Sequence, residues 1–283
     1  MERPNTTVSN TVEFLRTQRD TGRMPQAAAN SEDKPAAQPN VQASAQTEFT
    51  DTIMFRSPVI EVNPAWLEEQ RILPPGASGP LGGPYKMLRA QVLRRLEQLG
   101  ANSLAVMSPT AGAGKTLTAI NLAIAIAAES DRTALLIDFD LRNPSIHQRF
   151  GFQPELGVEE CFESNRPVQE AMVKIKGYDR LTILPARSRV EHSSELLSDQ
   201  RAAALVNELR SRYANRVLIF DLPPVLQADD ALTFTKHVQA GLVVVNEGST
   251  KREDVTRTIE LLHETKIVGT VLNGSREPQQ TYY

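Results

Sequence analysis

The chain has 283 residues, with 31 Lys and Arg against 34 Asp and Glu, a formal net charge of −3, and 40% hydrophobic residues. That is enough apolar material for one large domain with tails. The near-neutral charge gives no general argument for nucleic acid or an anionic membrane as partner. The single cysteine, Cys161, excludes an internal disulfide, fits a reducing compartment and reads as a small core residue on a helix. No basic-then-apolar leader opens the chain, and its longest apolar run, 122–128, is far short of the ~18 residues of a membrane span. A soluble, cytoplasmic protein with no direct membrane span is expected.

Residues 1–50 are rich in Ala, Gln, Asn, Pro, Ser and Thr, with Phe14 and Phe49 as the only aromatics. Such a stretch buries too little apolar area to offset its ordering entropy and reads as a disordered tail; within it, 12–19 could form a short helix on a partner. Residues 51–84 read as a docking arm and linker. They hold a short strand at 59–62, a helix start at Asn63-Pro64 leading into Trp66 and Leu67, and a Pro/Gly-rich piece over 74–84. A helix is predicted over 85–99, with Leu88, Val92, Leu96 and Leu99 on its apolar face; Lys86, Arg89, Arg94 and Arg95 form a solvated face or an interface. From residue 103 strands and helices alternate. The predicted strands are 104–107, 133–137, 181–184, 217–220, 241–245 and 267–272; the predicted helices are 115–129, 144–149, 158–163, 168–173, 194–213, 231–237 and 252–264. Apolar strands between helical patterns mean an α/β fold, a mostly parallel sheet covered by helices on both faces. This domain spans 85–274, and a flexible tail follows over 275–283.

Three motifs carry chemistry. The first is a small-residue loop between a buried strand and a helix, Ser108-Pro-Thr-Ala111-Gly112-Ala113-Gly114-Lys115-Thr116-Leu117. Gly112, Ala113 and Gly114 let backbone N–H groups close around phosphate oxygens, and the helix start adds its unpaired N–H groups. Lys115 supplies a point charge for the outer phosphates and Thr116 a hydroxyl for Mg²⁺. Pro109 stands where the G-x-x-x-x-G-K-[ST] pattern has its first glycine. The second motif, Leu-Ile-Asp138-Phe-Asp140-Leu-Arg142-Asn-Pro144, puts two carboxylates at the end of a buried strand. In a parallel sheet that end shares an edge with the phosphate loop, where carboxylates can hold Mg²⁺ or accept a proton from an attacking hydroxyl. The third, Val217-Leu-Ile-Phe-Asp221, ends another apolar strand in Asp and supplies a further carboxylate on the metal side.

Taken together these motifs resemble those of the bacterial protein-tyrosine kinases of capsule and exopolysaccharide synthesis, in the same superfamily as the partition and septum-site ATPases. Ser194-Glu195-Leu-Leu-Ser198, Asp230-Ala231 and Val268-Gly-Thr-Val-Leu-Asn273 also fit, and the resemblance covers about two-thirds of the chain, roughly 84–274. It implies a P-loop fold with a deviant Walker A and an ATP- and Mg²⁺-dependent autokinase. Lys115 and Thr116 would bind the ATP phosphates and Mg²⁺. Asp138 and Asp140 would serve the metal and the tyrosine hydroxyl, in an undivided role, and Asp221 would complete the metal environment. Arg142 would act near the phosphates or at an interface; Asn273 is either near the adenine or a strand-end turn residue. The family's autophosphorylated, tyrosine-rich tail corresponds here to Tyr282 and Tyr283. From Asn273 the tail has roughly ten residues, at most about 33–36 Å of reach, enough for a neighbour's active site or its own. The resemblance also implies a homo-oligomer and a separate membrane-bound polysaccharide co-polymerase as activator, which would bring the chain to the inner face of the cytoplasmic membrane.

Two departures bear on this. The family's early helix carries Glu-x₂-Arg-x₂-Arg, which supports ring assembly; the matching positions here are Gly83, Lys86 and Arg89, and the carboxylate is missing. Partition-type ATPases carry an additional lysine at the start of the loop, where this chain has Thr110. Two alternatives to an autokinase stay open: a partition-type ATPase with water as nucleophile, and a non-catalytic ATP-dependent scaffold of a polysaccharide machine.

Overall fold

A computed structural model describes residues 9–11, 57–164, 166–198, 200–212 and 215–275. Apart from 9–11, the N-terminal tail and its 12–19 helix lie outside the described residues, as do Tyr282 and Tyr283.

The strands are β1 (Ser9–Thr11), β2 (Val59–Ile60), β3 (Ser103–Met107), β4 (Thr133–Asp138), β5 (Lys174–Ile175), β6 (Leu181–Leu184), β7 (Arg216–Asp221), β8 (Ala240–Asn246) and β9 (Ile267–Ser275). The helices are α1 (Pro64–Glu69), α2 (Gly79–Leu99), α3 (Lys115–Ala127), α4 (Ile146–Phe150), α5 (Val158–Ser164), α6 (Ser193–Ser198), α7 (Gln200–Arg212), α8 (Asp230–Phe234) and α9 (Arg252–Leu261). The main sheet runs β1-β9-β8-β3-β7-β4-β6; every pairing is parallel except β1 with β9. All six predicted main-sheet strands are present.

Strand side chains alternate between two cores, as a pleated strand buried on both faces requires. Leu104, Val106, Ala134, Leu136, Val217 and Ile219 pack with α2, α3 and the arm. Ala105, Leu135, Ile137, Leu218 and Phe220 pack with α5, α7 and α8. Phe139 continues this second core, meeting Phe234 edge-on at 4.7 Å between ring centroids. It thereby pins the chain between the two carboxylates of the second motif.

Four segments differ from the sequence reading. Ser9–Thr11, inside the expected disordered tail, is a strand paired with β9. The helix predicted from 85 begins at Gly79, inside the assumed linker; Pro80 fits a first turn, and Gly82 lets the turn close against the Ala77 carbonyl, 2.4 Å from where a Cβ would stand. The helix predicted over 168–173 is only a 3₁₀ turn, Val168–Glu170, followed by β5, which pairs with β2 in a separate two-stranded sheet. The β-branched pair at Val173 and Ile175 favours that extended backbone. The helix predicted over 194–213 is two helices, α6 and α7, a division that periodicity alone passes over. The family's assembly positions are used within the chain: Lys86 donates to Ser78 Oγ at 2.7 Å, and Arg89 reaches the Ala125 carbonyl at 3.2 Å and Glu129 at 2.7 Å.

The arm is fastened at three points. Asn121 of α3, buried, accepts from the Leu73 N–H at 2.9 Å and donates to the Arg71 carbonyl at 3.0 Å. Those bonds hold Arg71 at φ +59°, a left-handed conformation costly for any residue but glycine. Tyr178 donates to the Leu73 carbonyl at 3.1 Å. The Trp66 indole N–H donates to the Arg149 carbonyl at 3.1 Å, and its ring lies over Gly151, 2.8 Å from where a Cβ would be. No described helix is long and apolar enough to cross a membrane.

Candidate active site

The phosphate loop leaves β3 and enters α3 with two left-handed glycines, Gly112 at φ +80° and Gly114 at φ +86°. Pro109 needs no such freedom, so the pattern's first glycine is dispensable here. The Ser108 and Pro109 carbonyls accept from the N–H groups of Val225 and Leu226 at 2.9 and 3.2 Å, which ties the loop's start to the segment after β7. Asn273, at the end of β9, donates to the Ala113 carbonyl at 2.9 Å, and a Cβ on Gly114 would stand 1.9 Å from its Nδ2. Asn273 is therefore a buttress under the phosphate loop.

The carboxylates reach the same place by strand register. Asp138 and Asp221 are direct partners across β4 and β7, and Asp221 is also the partner of Val106 on β3. Lys115 Nζ donates to Asp140 Oδ2 at 2.8 Å and Asp221 Oδ1 at 3.2 Å; the Thr116 hydroxyl donates to Asp221 Oδ2 at 2.6 Å. Asp138 is held differently. Its Oδ2 accepts from the N–H groups of Ser145 and Ile146, both at 3.0 Å, and its Oδ1 from the Asp140 N–H at 3.3 Å. It has no direct bond to Lys115.

Burial dominates the electrostatics. It pushes Asp138 from 3.8 up to about 8, with neighbouring Asp221 adding to the rise and the Ile146 amide and Lys115 opposing it. Asp221 is also raised, by burial, against the pull of Lys115 and Thr116. Burial would lower Lys115, but Asp221 and Asp140 outweigh it and hold the ammonium above its ordinary range. Cys161, by contrast, is a buried thiol pushed up to about 11 by burial and then by Glu170, which makes it an inert core residue.

A cavity of about 520 Å³ is lined by the loop from Ala111 to Leu117, Asp140 and Arg142, with Pro223 and Gln227 on one side. Asp138 and Asp221, both fully buried, and Asn273 are not part of its wall. Arg142 forks across Asp230 at 2.7 Å and Asp229 at 2.9 Å, bracing the second motif against α8. The sequence reading missed Arg149 and Arg189, also in the wall, and Asn121, the latch on the arm; no motif or periodicity marks them. The donors offered to a cation are oxygens. Among the described residues no three carboxylate, imidazole or thiolate side chains converge on one point. Mg²⁺ at phosphate sites takes one or two protein oxygens and fills its octahedron with substrate phosphate and water, so Thr116 with Asp221 or Asp140 fits that ion.

A family model for ParA, described as NUBPL iron-transfer P-loop NTPase, matches residues 101–279. The chain belongs to the ParA family of P-loop NTPases. Among its relatives, this ParA-family chain is 27% identical over 201 residues to Tyrosine-protein kinase YwqD of Bacillus subtilis (strain 168), covering 70% of this chain and 83% of that one. It is 28% identical over 203 residues to Tyrosine-protein kinase etk of Escherichia coli (strain K12), covering 70% of this chain but 27% of the relative. The solved kinase domain of Escherichia coli tyrosine kinase ETK matches with a TM-score of 0.64 at 25% identity, over 72% of this chain and 80% of that domain. These matches agree with the resemblance read from the motifs.

Proposed function

We propose that the chain is an ATP- and Mg²⁺-dependent protein-tyrosine autokinase that phosphorylates Tyr282 and Tyr283 and serves capsule or exopolysaccharide synthesis. The observation that carries this reading is the split between the carboxylates: Asp140 and Asp221 hold Lys115 and Thr116, while Asp138 is held by backbone amides with its pKa raised to about 8. Burial raises Asp138 above the ordinary carboxylate range, so that once ionised it is the stronger proton acceptor. Asp138 is therefore the residue suited to take the proton from the attacking tyrosine oxygen. The backbone N–H groups of Gly112 to Thr116 would hold the phosphates, Lys115 would meet the charge on the outer phosphate, and Arg142 would keep the Asp140 loop in place. Mg²⁺, bound through Thr116 and Asp221, would neutralise the phosphate oxygens. Catalysis is then mainly positioning. The names of the kinase relatives support tyrosine as the acceptor. The ParA family match keeps the water-attacked ATPase as the second reading, although Thr110 stands where a partition-type lysine would be.

A membrane-bound activator and a homo-oligomer belong to the same reading. The described part of the chain has no spanning helix, and the arm clamped between α3 and α4 is a route by which an N-terminal partner would act on the site.

The test is incubation of the purified full chain with Mg²⁺ and γ-labelled ATP, phosphate mapping by mass spectrometry, and Asp138→Asn as control. Phosphate on Tyr282 or Tyr283 that disappears in the control is the expected result. Steady ATP hydrolysis without phosphotyrosine would replace the kinase reading by the ATPase.

A further inference from the structure

The charges around the cavity are unevenly committed. Lys115 has two carboxylate partners and Arg142 has two. Two other cations stand in the same wall, Arg149 and Arg189. Among the described residues neither has an ion pair; Arg149 donates to the neutral Gln70 Oε1 at 3.3 Å. On its far side Arg189 borders a second cavity whose wall includes Glu163, Glu191 and Glu195, yet it pairs with none of them.

Their place in the fold decides what they face. The phosphate loop follows β3. Arg149 lies on α4, after β4, and Arg189 follows β6, the outermost strand on that side. Arg149 is one helical turn beyond Ser145, its N–H bonded to the Ser145 carbonyl at 2.9 Å, and Ser145 donates to Asp138. Both side chains therefore reach the cavity that the phosphate loop and Asp140 also line, from the β4 and β6 side of the sheet edge, and the segment leading into the helix of Arg149 supplies the amides that hold Asp138. Arg149 is also aimed: its carbonyl is held by Trp66 and its guanidinium by Gln70. A guanidinium without a carboxylate partner, half-buried and fixed at its base, is suited to bidentate contact with a phosphate ester.

We propose that Arg149 and Arg189 form an anion-holding wall for the acceptor peptide, taking a phosphotyrosine next to the tyrosine that reacts. The inference rests on the kinase reading, and it gives the adjacent pair Tyr282 and Tyr283 a mechanism. Phosphate placed on one tyrosine anchors the tail on the arginines while the other reaches Asp138, so the second transfer is favoured over the first.

The experiment measures binding without transfer. Fluorescein-labelled peptide of residues 276–283, phosphorylated at Tyr282 or unphosphorylated, is titrated with the full chain in saturating Mg²⁺-ADP, followed by anisotropy. The wild type is expected to favour the phosphopeptide about tenfold. Arg149→Gln and Arg189→Gln should each bring that ratio toward one, while Arg149→Lys retains part of it, and fluorescent ADP analogue binding with an unchanged circular dichroism spectrum shows that the variants are folded. Equal binding of the two peptides by the wild type overturns the proposal. So does a ratio that survives both substitutions, or a loss of ADP analogue affinity in the same proportion, which would assign the arginines to the nucleotide. Phosphopeptide discrimination without phosphotransfer would leave the anion wall standing and remove the kinase reading.

Discussion

Replacing Asp138 by Asn tests the electrostatic core of the site in a way that needs no activity. In the metal-free protein Asp138 rises from 3.8 to about 8, first through burial and then through the neighbouring Asp221. Between those limits the folded protein keeps a proton that the unfolded chain gives up. The folded state binds more protons there, so stability falls as pH rises from about 4 to about 8 and is level outside that window. Four units at about 1.4 kcal/mol each give on the order of 5 kcal/mol for the whole span, an upper figure because Asp138 and Asp221 titrate as a pair. Asn lacks the proton equilibrium but fills the same space. Its amide oxygen can still accept from Ser145 and Ile146, while its NH₂, a donor, gives up the 3.3 Å bond from the Asp140 N–H. That loss is the same at every pH, so the stability difference between the two proteins should move in favour of Asn by several kcal/mol from about pH 4.5 to about pH 8.5. Urea unfolding in EDTA at four pH values in this range measures it. Parallel curves for the two proteins would refute the argument, because they would mean that Asp138 has the same pKa folded and unfolded. Adding Mg²⁺, whose proposed ligands Thr116 and Asp221 are intact in both proteins, should stabilise the Asn variant as well as the wild type.

Lys115→Met removes the cation from Asp140 and Asp221 and leaves buried carboxylates unpaired; a loss of about 3 kcal/mol in metal-free unfolding is expected, with partial recovery on adding Mg²⁺. Gly114→Ala forces a Cβ to 1.9 Å from Asn273 Nδ2 at a φ of +86°, so the Asn273 bond to Ala113 must break. Nucleotide affinity, read by titration calorimetry, should fall at least tenfold, and a change under twofold would mean that the buttress is irrelevant. Asn121→Ala leaves the Leu73 N–H and Arg71 carbonyl without their partner, which should cost about 2–4 kcal/mol. Hydrogen exchange should then show faster exchange in 64–73 ahead of the rest of the molecule.

Much of the site was legible because glycine and strand-end aspartate are demanded by backbone geometry, and such demands show in a single sequence. The loop from Ala111 to Leu117, Asp138, Asp140 and Asp221 were read directly, and they meet in the fold. What escaped was side-chain chemistry with no local requirement. Asn121 looks like any polar residue in a helix until the arm lies over it, and Arg149 looks like a solvated cation until Trp66 and Gln70 aim it. The 3₁₀ turn at Val168–Glu170 and the brief β5 escaped for a related reason. A two-residue strand has no period, and its partner, β2, is more than a hundred residues away in sequence. Asn273 was read as a residue near the base or a turn former, and its bond to the phosphate loop comes only from the neighbouring positions of β9 and β3 around β8.

The convergence of the carboxylates depends on one number, the register of β4 against β7. Thr133 pairs with Arg216 and Asp138 with Asp221, without a shift between. Paired residues on parallel strands project to the same face, and Ala134, Leu136, Val217 and Ile219 show which face that is: the one covered by α2 and α3. Both aspartates therefore emerge on the side where α3 begins, next to Lys115 and Thr116. Phe139 and Phe220 point the other way and lock the register from the opposite core. A slip of one residue would exchange these sets, burying an aspartate among phenylalanines and lifting an aromatic ring into the phosphate site. The apolar alternation of two strands is thus also what brings the two aspartates to Lys115 and Thr116. An alanine inserted between Leu136 and Ile137 should accordingly abolish nucleotide binding altogether. The same insertion after Asp131, in the turn before β4, should leave binding measurable, and equal loss from both would show that register is not what sets the site.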